Sequence, residues 1–178
     1  LTEWIDFHTT RGALVTVALA RKPNVIQFGN VIVGEDGRIE RFIEKPTWGQ
    51  VFSDTVNTGI YVMSPEVLDR VPLDERVDWS ADIFPALLAA GEPVFGYVTD
   101  RFWEDVGSID SYLSVQRDVL NGVVDVQISG FEFAPRVWVG EGASIDPAAT
   151  LVAPCFVGAH STVEPDCVIG PGTVLGSN

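Results

Sequence analysis

Hydrophobic positions change rhythm partway along the chain, and each rhythm predicts a different architecture. Ala13–Ala20 (ALVTVALA) is an apolar, β-branched run of strand length, the pattern of a strand covered on both faces. Asn30–Val33 and Ile39–Glu44 are shorter runs on either side of Glu35-Asp36-Gly37. Asp-Gly between two such runs predicts a hairpin, because Gly accepts the positive φ that the turn needs. Val56–Met63 (VNTGIYVM) and Pro93–Thr99 are two further strands. Between them, Ser64-Pro65-Glu66 reads as a helix start: Ser caps, Pro presets φ and Glu meets the positive end of the dipole. Val67, Leu68 and Val71 would form its apolar face. A second helix is expected from Ser80, with Ile83, Phe84, Leu87 and Leu88 on one face and Gly91 as its stop. A third is expected from Ser108, with Tyr112, Val115, Val119 and Leu120 facing inward and Gly122 at its end.

From about residue 137 the period becomes six. Val139, Ile145, Leu151, Val157, Val163, Ile169 and Leu175 recur at that spacing. Two residues before each stands Val137, Ala143, Ala149, Cys155, Ser161, Cys167 or Thr173, nearly all of them small. Six matches neither an amphipathic helix nor an isolated strand. It matches a hexapeptide β-helix, in which each hexad forms one face of a coil and one aliphatic residue points inward. Gly140, Gly142, Gly158, Gly170 and Gly172 fall in the turns, as do Pro147, Pro165 and Pro171.

Composition narrows the function. The chain of 178 residues has 11 Lys and Arg against 25 Asp and Glu, a net charge of −14. That balance opposes binding to nucleic acid, which needs a basic patch, and to a membrane surface, which draws on Lys and Arg. No run approaches the roughly 18 apolar residues of a membrane span. Two cysteines are too few for a disulfide scaffold, and no basic region followed by an apolar run marks a signal peptide; a cytoplasmic location is expected. The chain starts at Leu1, its only methionine is Met63, and the hexads stop at Asn178 without a cap. A piece of a longer protein is expected.

Three short motifs carry candidate chemistry. Glu44-Lys45-Pro46 ends the second hairpin strand, where Pro46 biases Lys45 toward an extended backbone. Glu44 could accept hydrogen bonds from hydroxyls and Lys45 could supply charge to a phosphate, or the two could form an exposed ion pair. Asn57-Thr58-Gly59 interrupts an apolar strand. It reads either as a ligand wall, Asn57 meeting hydroxyls and Gly59 allowing close approach, or as a β-bulge. Trp103-Glu104-Asp105-Val106-Gly107 precedes the third helix. Asp105 could give an oxygen to a hard cation or could serve the helix dipole. His8 and His160 stand at no metal-ligand spacing. Cys155 and Cys167 read as small core residues on different faces of the coil.

Taken in order, Phe7-His8, Ala13–Ala20, Phe28-Gly29, Phe42–Pro46, Asn57–Tyr61, Asp82–Pro85 and Trp103–Gly107, followed by the hexads, resemble the second half of a sugar-nucleotide pyrophosphorylase (nucleoside-diphosphate-sugar nucleotidyltransferase). Within that family the likeness is to the bacterial mannose-1-phosphate guanylyltransferases, a subgroup suggested by the Thr47–Thr58 and Val77–Pro85 segments. The resemblance implies an α/β fold: an incomplete mixed-sheet nucleotidyltransferase domain followed by a left-handed parallel β-helix of hexapeptide repeats. The corresponding boundaries are a sugar-phosphate-binding half over 1–122, a linker over 123–136 and the start of the β-helix over 137–178.

The resemblance further implies that Glu44 binds sugar hydroxyls, that Lys45 binds the sugar phosphate, and that Gly29 touches the sugar through its backbone. Asn57 and Gly59 would line the hexose pocket. Asp105 would be one of two carboxylates holding Mg²⁺, with Trp103 packed beside it. Lys45 and Asp105 would thus be the catalytic residues. The partners implied are a hexose 1-phosphate and a nucleoside triphosphate, mannose 1-phosphate and GTP in that subgroup, with homo-oligomerisation through the β-helix. The family's Gly-rich phosphate loop, its first metal-binding Asp and its base-reading residues would lie ahead of Leu1. Without them the segment is expected not to turn over alone. Asn30 departs from the family's aliphatic residue and Ser108 from its frequent Thr. Three other readings stay open: a glucose-1-phosphate nucleotidyltransferase, a non-catalytic sensor of nucleotide sugars on the same fold, and an acyltransferase built on the hexads.

Overall fold

The computed structural model describes residues 2–178 as two compact units, one up to Trp103 and one from Glu104 to Asn178. The first is built from α1 (Thr2–Arg11), β1 (Val15–Arg21), β2 (Asn30–Val33), β3 (Ile39–Ile43), β4 (Thr55–Met63), α2 (Phe84–Ala89) and β5 (Val94–Val98). Its five strands form one sheet in the order β3-β2-β4-β1-β5. β1 runs parallel to β5 and antiparallel to β4, and the other pairings are antiparallel, so the sheet is mixed. β1 is buried along its length except at Arg21, because both its faces are covered. Val15, Val17 and Leu19 join the core cluster of Phe42, Ile83, Phe84 and Leu87, while Thr16 bonds to His8 of α1. Phe84 is the centre of that cluster, with the rings of Tyr61, Phe42 and Trp79 at 4.9, 5.7 and 6.0 Å. The β2–β3 hairpin turns where Asp36-Gly37 predicts it: Gly37 has φ +87° and its N–H donates to Gly34 O at 2.9 Å.

The two helices expected between β4 and β5 are reshaped. Pro65–Arg70 is a short 3₁₀ helix, closed by Val67 N–H to Ser64 O and Val71 N–H to Leu68 O. In so tight a turn Val67 is buried and Leu68 is left exposed. Ser64 does not cap it with its side chain: the hydroxyl donates to Ala13 O and meets His8 Nε2. The second helix begins with a wide π turn over Trp79–Ile83, in which Ile83 and Phe84 donate five residues back. Its cap is Asp78 rather than Ser80, the carboxylate accepting from Ser80 N and Ala81 N at 2.8 and 2.9 Å. Pro85 has no N–H to continue a regular ladder, and the wide turn absorbs that break before α2.

In the second unit α3 (Ile109–Leu120) starts where Ser108 predicts, with reciprocal bonds between Ser108 and Ser111. Its apolar stripe is only partly covered: Leu120 is buried, but Tyr112 keeps 53% of its surface. The 123–136 stretch, expected as a linker, contains a strand, β6 (Phe131–Ala134), antiparallel to β7 (Val137–Val139). Then come β8 (Ser144–Ile145), β9 (Thr150–Leu151), β10 (Cys155–Val157), β11 (Thr162–Val163), β12 (Val168–Ile169) and β13 (Val174–Leu175). They pair in parallel in three sheets, each pairing joining residues 18 positions apart, as in Val137↔Cys155, Ser144↔Thr162, Thr150↔Val168 and Phe156↔Val174. Val139, Ile145 and Leu151, one from each sheet, line a common cavity of about 560 Å³. Positive φ recurs in the hexad phase at Arg136, Gly142, His160, Asp166 and Gly172, so these are the corners. Cys155 is buried as expected, but Cys167 is exposed: it directly follows the corner Asp166. No helix among the described residues is long and apolar enough to cross a membrane.

Two outcomes follow from this packing. His8 is buried between Thr16 Oγ1 at 2.9 Å and Ser64 Oγ at 3.2 Å, and loss of solvation lowers its pKa from the usual 6.5. The unfolded chain therefore binds the extra proton first, so stability rises with pH through that window. His8's share should be complete above about 6.5 and fade as the pH falls below it. The urea midpoint of the unaltered chain should thus drop more steeply than that of His8→Gln on acidification. At the corners, a non-glycine residue at positive φ costs about 1 kcal/mol. Asp166→Gly should raise the stability read from urea unfolding, by up to that amount, and Asp166→Val should lower it.

Candidate functional site

Strand register assembles the site. Asn30 pairs with Ile43 on one side and with Val56 on the other. One residue farther along, the antiparallel register sets Gly29 between Glu44 and Asn57, and Asn57 N–H donates to Gly29 O at 2.8 Å. Three of the residues singled out in the sequence thus form one row across the ends of three adjacent strands. Glu44 reaches over Gly29: a Cβ built on Gly29 would stand 2.9 Å from Glu44 Oε2 and 3.1 Å from the Phe42 ring. A side chain at Gly29 would have to displace the Glu44 carboxylate and crowd the Phe42 ring, and Glu44 lies over the Gly29 backbone.

Lys45 follows with φ +45°, not the extended backbone expected before proline. Pro46 is almost completely buried, and seating it forces the chain to turn sharply at Lys45. A left-handed lysine is a local strain of about 1 kcal/mol that only surrounding structure can hold. Both Glu44 and Lys45 are exposed, and neither side chain carries a hydrogen bond or ion pair among the described residues. They are not an ion pair with each other; both are presented to solvent.

Asn57-Thr58-Gly59 is a bulge. β1 advances from Val17 to Leu19 while β4 advances from Tyr61 back to Asn57. Gly59 supplies the positive φ, +77°, and its N–H donates to Asn57 Oδ1 at 3.0 Å. Asn57 Nδ2 donates to Tyr61 Oη at 2.9 Å and to Ser80 Oγ at 3.1 Å. Asn57 thereby orients two hydroxyls, Tyr61 and Ser80, to which the sequence reading gave no part in the site. No signal could have marked Tyr61: four residues apart on a regular strand means about 13 Å, and only the bulge brings the two side chains into contact. Thr58 Oγ1 donates to Ala18 O, and Thr58 O accepts from the Trp103 indole at 3.1 Å. Trp103 is half-buried, edge-on to Phe28 at 5.6 Å, with Lys22 Nζ 5.5 Å from its ring. The row and Trp103 are therefore linked through the bulge.

Asp105 belongs to the second unit, on the exposed stretch that leads into α3. Its carboxylate lies near Gly107, the nearer oxygen 3.6 Å from where a Cβ there would stand. Among the described residues no group of three His, Cys, Asp or Glu side chains is clustered to hold a metal ion. At this position Asp105 offers a hard cation the oxygen of an exposed carboxylate.

Residues 1–122 match the protein-family model described as nucleotidyl transferase. A UTP–glucose-1-phosphate uridylyltransferase of Synechocystis is 31% identical over 179 residues, covering 98% of this chain and 46% of that protein. A mannose-1-phosphate guanylyltransferase of Mycobacterium tuberculosis is 32% identical over 180 residues, with 98% and 46% covered. Mannose-1-phosphate guanylyltransferase 1 of Arabidopsis thaliana is 29% identical over 176 residues, with 98% and 47% covered. The chain spans about half the length of these curated relatives.

The contact at Gly29 has a measurable consequence. A methyl group there must push aside a mobile carboxylate and also a core ring, and overpacking of that kind costs about 1–3 kcal/mol. Gly29→Ala should lower the urea midpoint accordingly, and adding Phe42→Leu should recover part of the loss. An unchanged midpoint for Gly29→Ala would mean that the row is not packed this tightly.

Proposed function

Because the chain belongs to the nucleotidyl transferase family, we propose that it supplies the sugar-phosphate half of an enzyme that joins a nucleoside monophosphate to a hexose 1-phosphate. The observation that carries this reading is the row of Glu44, Gly29 and Asn57 in register, with Lys45 beside it. Glu44 accepts from sugar hydroxyls, Gly29 lets that carboxylate lie over its backbone, and Tyr61 and Ser80, held by Asn57, add hydroxyl groups. Gly59 shapes the wall by closing the bulge, and Trp103 pins it through Thr58. Lys45 meets the phosphate with an ammonium that has no competing protein carboxylate among the described residues.

The reaction is attack by a phosphate oxygen of the sugar 1-phosphate on the α-phosphorus of the nucleoside triphosphate. A new P–O bond forms, the bond from α-phosphorus to the bridging oxygen breaks, and pyrophosphate leaves with the electron pair. Alignment and charge neutralisation do most of the work in such a transfer. Asp105 would be this chain's oxygen ligand to Mg²⁺, an ion that commonly takes one or two carboxylates and completes its shell with phosphates and water; when bound, it would neutralise phosphate charge. We take mannose 1-phosphate and GTP as the substrates, in keeping with the names of two of the relatives described above.

The same reading covers the second unit. The six-residue corners and pairings 18 residues apart support a left-handed parallel β-helix of hexapeptide repeats, a surface suited to assembly of copies of the protein. No Gly-x-Gly-x-x-Arg run occurs in the 178 residues, so nothing among them cradles the triphosphate, and the segment alone does not turn over.

Calorimetric titration with mannose 1-phosphate should register binding to this chain. Lys45→Ala should weaken it by about ten-fold or more, the worth of a hydrogen bond to a charged group. An assay with GTP, mannose 1-phosphate and Mg²⁺ should release no pyrophosphate from these 178 residues. Equal affinity in Lys45→Ala would remove the lysine from the site, and robust pyrophosphate release would refute the division of labour.

A further inference from the structure

The segment between β3 and β4 is irregular yet tied down at both ends. At its start, Pro46 is buried and Lys45 is locked at positive φ. Thr47 and Gln50 then close on each other, Thr47 N–H and Oγ1 both donating to Gln50 Oε1. At its end, Asn30, only 1% exposed, spends its whole amide on the loop: Nδ2 donates to Ser53 O, Ser53 Oγ and Thr55 O, and Oδ1 accepts from Phe52 N–H. Arg21 adds an ion pair to Asp54 at 2.7 Å. Asn30 is the neighbour of Gly29, as Lys45 is of Glu44, so the loop leaves from one end of the row and returns to its middle.

This well-held loop keeps two large aromatic side chains in water. Trp48 is 71% exposed and Phe52 57%, the latter with the Arg41 guanidinium 5.4 Å from its ring centre. These hydrogen bonds hold the loop while its indole is left in water, where an amphipathic aromatic face is free to meet a ligand. Trp48 stands three residues from Lys45, so their backbones are at most about 11 Å apart. Resting on the function proposed above, we infer that the loop of residues 47–53 is a fixed wall of the sugar-phosphate site and that Trp48 is its contact for the apolar face of the hexose ring. A pyranose has one face of C–H groups and a rim of hydroxyls. Indole meets the face, while Glu44, Tyr61 and Ser80 meet the rim.

The test compares the unaltered chain with Trp48→Ala, Trp48→Phe and Lys45→Ala, each titrated calorimetrically with mannose 1-phosphate, inorganic phosphate and GTP. Because Trp48 is exposed, Trp48→Ala should keep the melting temperature of the unaltered chain. It should lose about ten-fold in affinity for mannose 1-phosphate, none for inorganic phosphate, and regain most of the loss as Trp48→Phe. Lys45→Ala should weaken binding of both mannose 1-phosphate and inorganic phosphate. Unchanged affinity for mannose 1-phosphate in Trp48→Ala, with Lys45→Ala impaired, overturns the inference and leaves the function intact. A loss confined to GTP also overturns it, since the indole would then meet a nucleobase. No binding of mannose 1-phosphate by the unaltered chain overturns the proposed function and this inference together.

Discussion

The hydrogen bond from Asn57 N–H to Gly29 O is the contact on which the candidate site depends. It closes the β2–β4 pairing at the strand ends, one residue before β4 leaves the ladder in its bulge. In an antiparallel sheet a shift of one residue turns every side chain to the opposite face. With this register Glu44, Gly29 and Asn57 form a row; a slip by one would face their side chains away from one another. Gly29 contributes by having no side chain, since Glu44 and the Phe42 ring occupy the space a Cβ would need.

Around that row the structure favours geometry over local comfort. Lys45 takes a left-handed backbone, Asn57 closes a bulge, and Asn30 is a buried amide where an aliphatic side chain would satisfy a sheet. Each is held from outside: Lys45 by the burial of Pro46, Asn57 by Tyr61, Ser80 and Gly59, and Asn30 by three bonds to the loop that precedes β4 and one to Thr55 at the start of β4. A buried amide left unsatisfied costs about 1–3 kcal/mol, so the Asn30 network ties the loop's conformation to the stability of the sheet. The left-handed Lys45 and the buried Asn30 amide thus both adjoin the row.

The two units solve the same problem, covering apolar surface, in different ways. The first wraps β1 with α1 on one face and α2 with its aromatic cluster on the other. The second repeats a short unit, so each hexad needs a neighbour 18 residues away to complete its hydrogen bonds. Val139, Val157 and Val163 are buried, while Ile145, Leu151, Ile169 and Leu175 are only half covered.

Much of this was legible along the chain, for identifiable reasons. Strand β1, the Asp36-Gly37 turn, the Ser108 cap and the six-residue period are signals carried by neighbouring residues or fixed spacings, and physics of that range can be read without coordinates. Glu44 and Lys45 could be named as candidates because they end an apolar strand, Asn57 because it interrupts one, and Gly29 through the family resemblance. Only tertiary structure decided that three of them share a row, because register is set by contacts between strands. It also decided that Lys45 turns left-handed, that Ser64 serves His8 and Ala13 rather than a helix, that Pro85 forces a π turn, and that Tyr61 and Ser80 join Asn57. Ser64's bonds to His8 and Ala13, and Ser80's to Asn57, join residues far apart in the chain, and such contacts outweigh a local preference worth about 1 kcal/mol, which is all that a residue's own neighbours in the chain can express.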